Sequence, residues 1–387
     1  MASPLFELSA DMRTTAEKRR RSSRPHLRST REVVPMPDPA PATPAREPWQ
    51  DSAPLLTGMD EVGAGLLDSL DAMQRVAASA GPGPLLVNAS PGTGKTHLLI
   101  RRIAYLVQEL GVPAAQCLVL AASTAGAAHL RRELESLLGR EAAAITVASF
   151  DDFADAAPPE LGHLFIDDLP VMPMRLYRQL MEHRGAEADV TATGDPDSAL
   201  REGGPAAFGA FAEQFSHAHV VRLSRNHRSP AALLVAASQV IEPISRVPGR
   251  LTQPQRPALE GSGIGRCYAV DDDDEKRFVE QLTERLTELG VDPDELAVIG
   301  PDGISIAEAA DEEYRVVCVT GMTAEAWPNT PDARRELYVA LSRTRDLAYV
   351  SHTGGGSPLL ADVDQGLFSP FGMVPVTRSG PEQPRLL

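Results

Sequence analysis

The octapeptide Ala89-Ser90-Pro91-Gly92-Thr93-Gly94-Lys95-Thr96 constrains this chain more than any other stretch. Leu85-Leu86-Val87 enters it as a short apolar run that reads as a buried strand, and His97 to Leu110 leaves it with apolar residues at helical spacing. Strand, glycine-rich loop and helix in that order make a phosphate-binding loop. Such a loop works only at the end of a parallel strand in a layered α/β fold. The general form carries a glycine where Ala89 stands; the remaining positions are standard. Gly92 and Gly94 let backbone N–H groups turn inward, and the helix N-terminus adds its positive end. Lys95 is placed to reach the β- and γ-phosphates, and the Thr96 hydroxyl to hold Mg²⁺. Ser90, Gly92, Thr93, Gly94, Lys95, Thr96 and His97 are therefore the candidate nucleotide contacts of this segment. The chain has three lysines (Lys18, Lys95, Lys276) among 37 basic residues, so an ammonium at this position is a chemical choice against a strong arginine bias.

At 387 residues, with 43% hydrophobic content, the chain can hold two domains of ordinary size. Residues 1–55 read as a disordered tail, arginine-rich from Arg13 to Arg31 and proline-rich from Pro35 to Pro54, able to touch nucleic acid or an acidic partner protein. Residues 1–31 carry a net charge of +5, which leaves −21 of the total −16 on the rest. A body so acidic does not suit nucleic-acid binding through a general positive field, although a local basic groove remains compatible with it. Cys117, Cys267 and Cys318 stand far apart and read as packing residues. The sequence opens without a signal-peptide pattern, and no apolar run reaches 18 residues, so the expectation is a cytoplasmic protein with no membrane contact.

From about 56 to 222 strands and helices alternate. Strand candidates are 85–87, 117–120, 144–147, 164–166, 190–192 and 220–223, with amphipathic segments at 126–138, 172–182 and 205–215. A second alternating set spans 223–352, with a helix at 230–241 and a strand at 265–270. Strands at 296–299, 316–319 and 347–350 and a helix near 334–343 complete it. The run Asp271–Glu275 invites a metal reading, but four aspartates and a glutamate opening a helix suit its N-terminus better. Residues 353–387 read as a loose tail.

His163-Leu164-Phe165-Ile166-Asp167-Asp168 is an apolar strand ending in two acids, as a phosphate-binding loop requires. Asp167 is the metal-side carboxylate, and Asp168 is placed to orient or activate water. Two later stretches, Asn226-His227-Arg228-Ser229 and Tyr338 to Arg345, each offer an arginine, Arg228 and Arg343, to neutralise charge on a γ-phosphate. The catalytic candidates are thus Lys95, Asp167, Asp168, Arg228 and Arg343, and the metal candidates Thr96 and Asp167.

In this order the motifs resemble the superfamily-1 DNA helicases of the UvrD/PcrA type, over roughly 65–350. Leu70-Asp71-Ala72-Met73-Gln74 resembles the adenine-reading segment, with Gln74 as the base ligand. Ser123 to Ala128 and Ser149-Phe150-Asp151 resemble strand-binding motifs; Gly194-Asp195, Arg228 and Arg343 fall on the third, fourth and sixth motifs. The resemblance implies two RecA-like lobes clasping ATP and Mg²⁺, with single-stranded DNA as partner. The departures matter as well. The family's Asp-Glu-x-Gln reads Asp167-Asp168-Leu169-Pro170, its coupling glutamine is Ser198, and its following aromatic pair is lost in Arg201-Glu202-Gly203-Gly204. Ala122 stands for a phenylalanine and, in the weakly matching 319–327, Ala326 for a glutamate. The spacings 150–162 and 300–313 leave no room for the family's inserted subdomains.

Nucleotide positions persist while base-stacking aromatics are lost, and each such aromatic is worth ~1–3 kcal/mol per base. Two readings stay open: an ATP-hydrolysing helicase-type enzyme with weak DNA coupling and weak or absent unwinding, or a nucleotide switch that binds ATP and a protein partner without unwinding. A P-loop kinase would need neither Gln74 nor the arginines of a second lobe.

Overall fold

The computed structural model describes residues 65–370, apart from 154–160, 185–187, 201–204, 246, 248–249, 258–262 and 311. The expected N-terminal tail and the last residues, 371–387, lie outside the described residues. So does the Arg201–Gly204 segment.

The first lobe is a six-stranded parallel sheet. Its strands are β1 (Leu85–Ala89), β2 (Cys117–Ala121), β3 (Thr146–Ser149), β4 (His163–Ile166), β5 (Asp189–Gly194) and β6 (His219–Leu223), in the spatial order β3-β2-β4-β5-β1-β6. All six are the expected strands, shifted by at most a few residues. β1 and β2 are buried along their whole length, as continuous apolar runs in a parallel sheet must be. Helices α2 (Lys95–Gln108) and α3 (Thr124–Leu138) cover one face through Leu99, Ile103, Leu130 and Leu134. On the other face, α5 (Met174–His183) and α6 (Ala206–Gln214) bring in Leu176, Leu180 and Phe211. A short helix, α1 (Ala72–Ala78), precedes β1, and the one-turn α4 (Phe150–Phe153) follows β3.

An unusual core residue anchors α1. Arg102 of α2 is fully buried, and its guanidinium donates to the carbonyls of Ala77, Ala78 and Ala80 and to Thr191 Oγ1. Burial, opposed by Asp189, lowers its pKa to about 10, so the cation survives at neutral pH. These bonds satisfy the carbonyls at and beyond the end of α1, which the helix itself leaves without partners.

The chain then passes through β7 (Arg225–Asn226) and α7 (Ala231–Ile241), and returns through β8 (Gln253–Pro254), which pairs with β7. The second lobe is a parallel sheet in the order β10-β11-β12-β9-β13. Its strands are β9 (Gly263–Ala269), β10 (Leu296–Ile299), β11 (Tyr314–Val319), β12 (Thr344–Thr353) and β13 (Phe368–Pro370). Helices α7 and α10 (Pro331–Ser342) pack on one face, and α8 (Asp272–Glu288) on the other through Phe278, Leu282 and Leu286. Asp271 caps α8 by accepting from Asp274 N at 2.8 Å, so the acidic run is a helix start. Among the described residues no cluster of three metal-ligating side chains occurs.

One expectation is corrected here. The segment after residue 352 is not loose throughout. Leu359, Leu360 and Val363 are buried in the second core, and β13 extends the sheet by pairing with β9. Its glycines, Gly354 and Gly356, form a turn at positive φ that brings these apolar residues back.

Both lobes are RecA-like in arrangement and belong to one compact unit. Thirteen residues, 150–162, separate β3 from β4 in sequence, and a four-residue helix, α9 (Ile306–Ala309), lies between β10 and β11. Among the described residues no helix is long and apolar enough to cross a membrane.

Candidate functional site

The site sits where β4, β5 and β1 lie side by side and end, the crevice in which open parallel sheets bind ligands. The loop after β1 supplies Gly92 and Gly94, both at positive φ. Backbone freedom is only part of the reason for these glycines. A Cβ on Gly92 would lie 2.8 Å from both Arg228 Cβ and Asn226 Nδ2, and one on Gly94 would lie 2.6 Å from Gln74 Nε2. Neighbouring side chains therefore close over the loop at distances that only glycine permits. Thr93 turns inward and staples the loop, its hydroxyl donating to Ser90 O at 2.7 Å.

Thr96, at the start of α2, donates to Asp167 Oδ2 at 2.8 Å, and Thr193 of β5 donates to Asp167 Oδ1 at 2.7 Å. Asp167 is buried. Burial first, then Asp168, push its pKa up to about 6, against the pull of Lys95 and the two threonines. Such a carboxylate lacks positive charge. A hard cation held by the Thr96 and Asp167 oxygens would supply it, and all-oxygen ligation with few protein ligands suits Mg²⁺. Asp168 has the one positive φ of a non-glycine residue among the described residues, 60°, in the left-handed region that aspartate tolerates. That turn aims its carboxylate at Lys95 Nζ, 3.2 Å away.

The left-handed turn leads into Leu169-Pro170-Val171, a single turn of tight helix. Pro170 lies against Gly194, where an added Cβ would meet Pro170 Cδ at 2.1 Å. Gly194→Ala is expected to cost about 1–3 kcal/mol by overpacking, read as a lower denaturation midpoint, and Pro170→Ala in the same chain should recover part of it.

Gln74 caps its own helix: Oε1 accepts from Asp71 N at 2.9 Å, while Nε2 donates to Thr93 O at 2.9 Å. Its amide thus ties α1 to the loop, and a base edge would have to displace one of these bonds. His97 faces Ser69, with Nε2 3.0 Å from the Ser69 hydroxyl, and burial followed by Arg101 lowers its pKa. His227 stands over the same corner, 3.4 Å from Asp71 Oδ2.

The 226–229 segment grips the loop directly. Asn226 Nδ2 donates to Pro91 O at 2.8 Å, and His227 N donates to Gly92 O at 2.8 Å. Arg228 reaches the second lobe, donating to Ser342 O at 2.8 Å and pairing with Glu313. Its buried Nε has no hydrogen-bond partner among the described residues, and its Cβ packs against Gly92. Arg343 follows Ser342 as the C-cap residue of α10, next in the chain to the carbonyl that Arg228 engages.

Four participants were not singled out as site residues by sequence reasoning. Thr193 holds Asp167. Asp197, Arg250 and Tyr338 join Asp195 in a buried cluster across the lobes. Tyr338 and Asp197 lie close to recognisable motifs; Arg250 lies in a proline-flanked stretch with no periodicity to mark it. After β3, Asp152 takes hydrogen bonds from Ser149 Oγ at 2.7 Å and Thr124 Oγ1 at 3.4 Å. Both hydroxyls are thereby engaged by one carboxylate.

Residues 70–157 match the family model of the UvrD/REP helicase N-terminal domain. The chain is 40% identical over 85 residues to the ATP-dependent DNA helicase UvrD1 of Mycobacterium tuberculosis, covering 22% of this chain and 11% of that protein. It is 35% identical over 92 residues to the ATP-dependent DNA helicase PcrA of Bacillus subtilis, covering 24% and 12% respectively. The match thus spans about a tenth of the length of these curated relatives. Among solved structures, the helicase nonstructural protein 10 of an arterivirus aligns with 17% identity and a TM-score of 0.46, over 76% of this chain and 64% of that one.

Proposed function

We propose, for a chain that residues 70–157 relate to the UvrD/PcrA-like superfamily-1 helicases, that it binds ATP with Mg²⁺ between its two lobes and hydrolyses it. The observation that carries this reading is the Lys95–Asp168 and Thr96–Asp167 pairing at adjoining strand ends, with the Arg228 backbone segment packed against the same loop.

The roles follow from placement. The loop backbone and the start of α2 receive the phosphates. Thr96 and Asp167 are the residues to hold Mg²⁺, which when bound neutralises charge on phosphate oxygens. Lys95 leaves Asp168 for the β- and γ-phosphates, and the carboxylate so released accepts a proton from the attacking water. Arg228 Nε and the Arg343 guanidinium neutralise charge that develops on the γ-phosphate.

Coupling to single-stranded DNA is weak on this reading. The acidic body, Ala122 in place of an aromatic and the Asp152 network all oppose a nucleic-acid backbone. The same observations favour the second reading, a nucleotide switch whose partner is a protein. Steady-state ATP hydrolysis with and without single-stranded DNA separates them. We expect measurable turnover that DNA raises by no more than about threefold, where a translocating motor depends strongly on the strand. Strong stimulation would overturn the weak coupling, and tight ATP binding without turnover would leave the switch.

A further inference from the structure

Arg228 is held at both of its ends. Its backbone belongs to the segment that grips the phosphate-binding loop: its N–H donates to Asn226 Oδ1 at 2.9 Å, and its Cβ packs against Gly92. The far end of the side chain belongs to the second lobe. Nη1 donates to Ser342 O at 2.8 Å, and Nη2 pairs with the Glu313 carboxylate. Both terminal nitrogens thus serve second-lobe acceptors.

Glu313 immediately precedes β11, and the next residue, Tyr314, donates its N–H to Arg343 O at 3.0 Å. The carboxylate therefore stands where the chain entering β11 meets the C-terminal end of α10. The two partners differ in exposure: the Arg228 side chain is 12% exposed and that of Glu313 is 49%. A carboxylate half in water is screened and holds its partner weakly. A polyphosphate with several charges is a stronger partner for the same guanidinium.

We propose that Glu313 is a positioning residue that competes with the γ-phosphate of a nucleoside triphosphate for Arg228. One guanidinium cannot serve both anions in full, so the nucleotide must draw it from the carboxylate. Glu313 touches no nucleotide; it acts through Arg228. It lowers affinity for a ligand that carries the γ-phosphate and leaves affinity for a diphosphate unchanged, so it sets how far the site discriminates the two. The inference rests on the nucleotide-binding reading above, which gives Arg228 to the γ-phosphate, and adds the residue that opposes it. Apparent affinity falls by the fraction of molecules in which the arginine is free to bind. A partly exposed ion pair corresponds to at most roughly a 5-fold effect.

The test is equilibrium titration of the full chain with fluorescent analogues of ATP and of ADP, with Mg²⁺ and at one ionic strength. Glu313→Gln keeps the size of the side chain and removes its charge at a half-exposed position, so the core stays intact. It is expected to bind the ATP analogue roughly 2- to 5-fold more tightly and the ADP analogue as the wild type does. Glu312→Gln removes the same charge one residue earlier, at an exposed position, and should change neither. In an Arg228→Ala background, Glu313→Gln should bring no gain. A gain shared by ADP, or reproduced by Glu312→Gln, would be an effect of net charge and overturns the inference. So does a gain that survives without Arg228, and so does unchanged or weaker ATP binding in Glu313→Gln. In each of these cases a loss of binding in Lys95→Ala still marks the site. Equal binding by wild type and Lys95→Ala would instead overturn the nucleotide reading, and the inference with it.

Discussion

Replacing Lys95 with alanine is expected to weaken ATP binding by roughly 30-fold to several thousand-fold, since truncating one member of a desolvated charge pair between a protein and its ligand costs about 2–5 kcal/mol. Two effects add. The phosphates lose a point charge that no other lysine can replace: Lys18 lies in the N-terminal segment, and Lys276 pairs with Asp302 on the second lobe. In addition, Lys95 is the cation beside Asp168 and among the influences that hold down the Asp167 pKa. Without it, two adjacent carboxylates confront an anionic ligand with one fewer cation beside them. Lys95→Arg should rescue poorly, because the planar guanidinium is bulkier and cannot serve as a compact point charge within a loop closed by Gly92 and Gly94. Titration of a fluorescent ATP analogue at fixed salt measures this directly. A loss of less than threefold would mean that nucleotide does not sit on this loop.

Much of this was legible in the sequence because it is local. A strand running into glycines and a lysine, an apolar strand ending in two acids, and helical periodicity are short-range signals, and all six strands of the first lobe lie where those signals place them. The motif order also singled out Arg228, whose Cβ packs against Gly92 of the loop. What stayed hidden depends on contacts distant along the chain. Nothing near Arg102 announces that three carbonyls at and beyond the end of α1 will need a buried cation. Gln74 reads as a base ligand by position, but its amide engages the loop backbone only because the fold lays α1 across it. The glycine-rich stretch after 352 resembles a tail by composition, and only burial of Leu359 and Leu360 shows that it returns to the sheet. The substitution of Pro170 for the family's glutamine looked like simple loss. Its contact with Gly194 shows a repacked turn that sets where Asp168 points.

Arg250→Leu is expected to be the most destabilising single change considered, at about 3–5 kcal/mol, because it leaves buried carboxylates without their cation. Asp195 is fully buried and Asp197 nearly so, and both depend on this one guanidinium. The pH dependence identifies the cause. In the wild type, burial raises the Asp195 pKa but Arg250 outweighs it, so the net shift is downward. A carboxylate with a lowered folded pKa contributes stability that is present above its unfolded value and lost only as pH falls through the folded one. Without Arg250 burial dominates, and the folded pKa moves above the unfolded value. The contribution then reverses: it is full below the unfolded pKa and lost as pH rises through the raised one. Asp197, whose pKa burial already raises against the pull of Arg250, moves further the same way. Asp167 behaves alike in both proteins and cancels in their difference. The stability gap between variant and wild type should therefore shrink as pH is lowered from about 7.5 to about 5. Denaturant unfolding at the two pH values reads this out. A gap independent of pH would assign the loss to packing of the Arg250 stem and Tyr338 ring, and not to the uncompensated charges of Asp195 and Asp197.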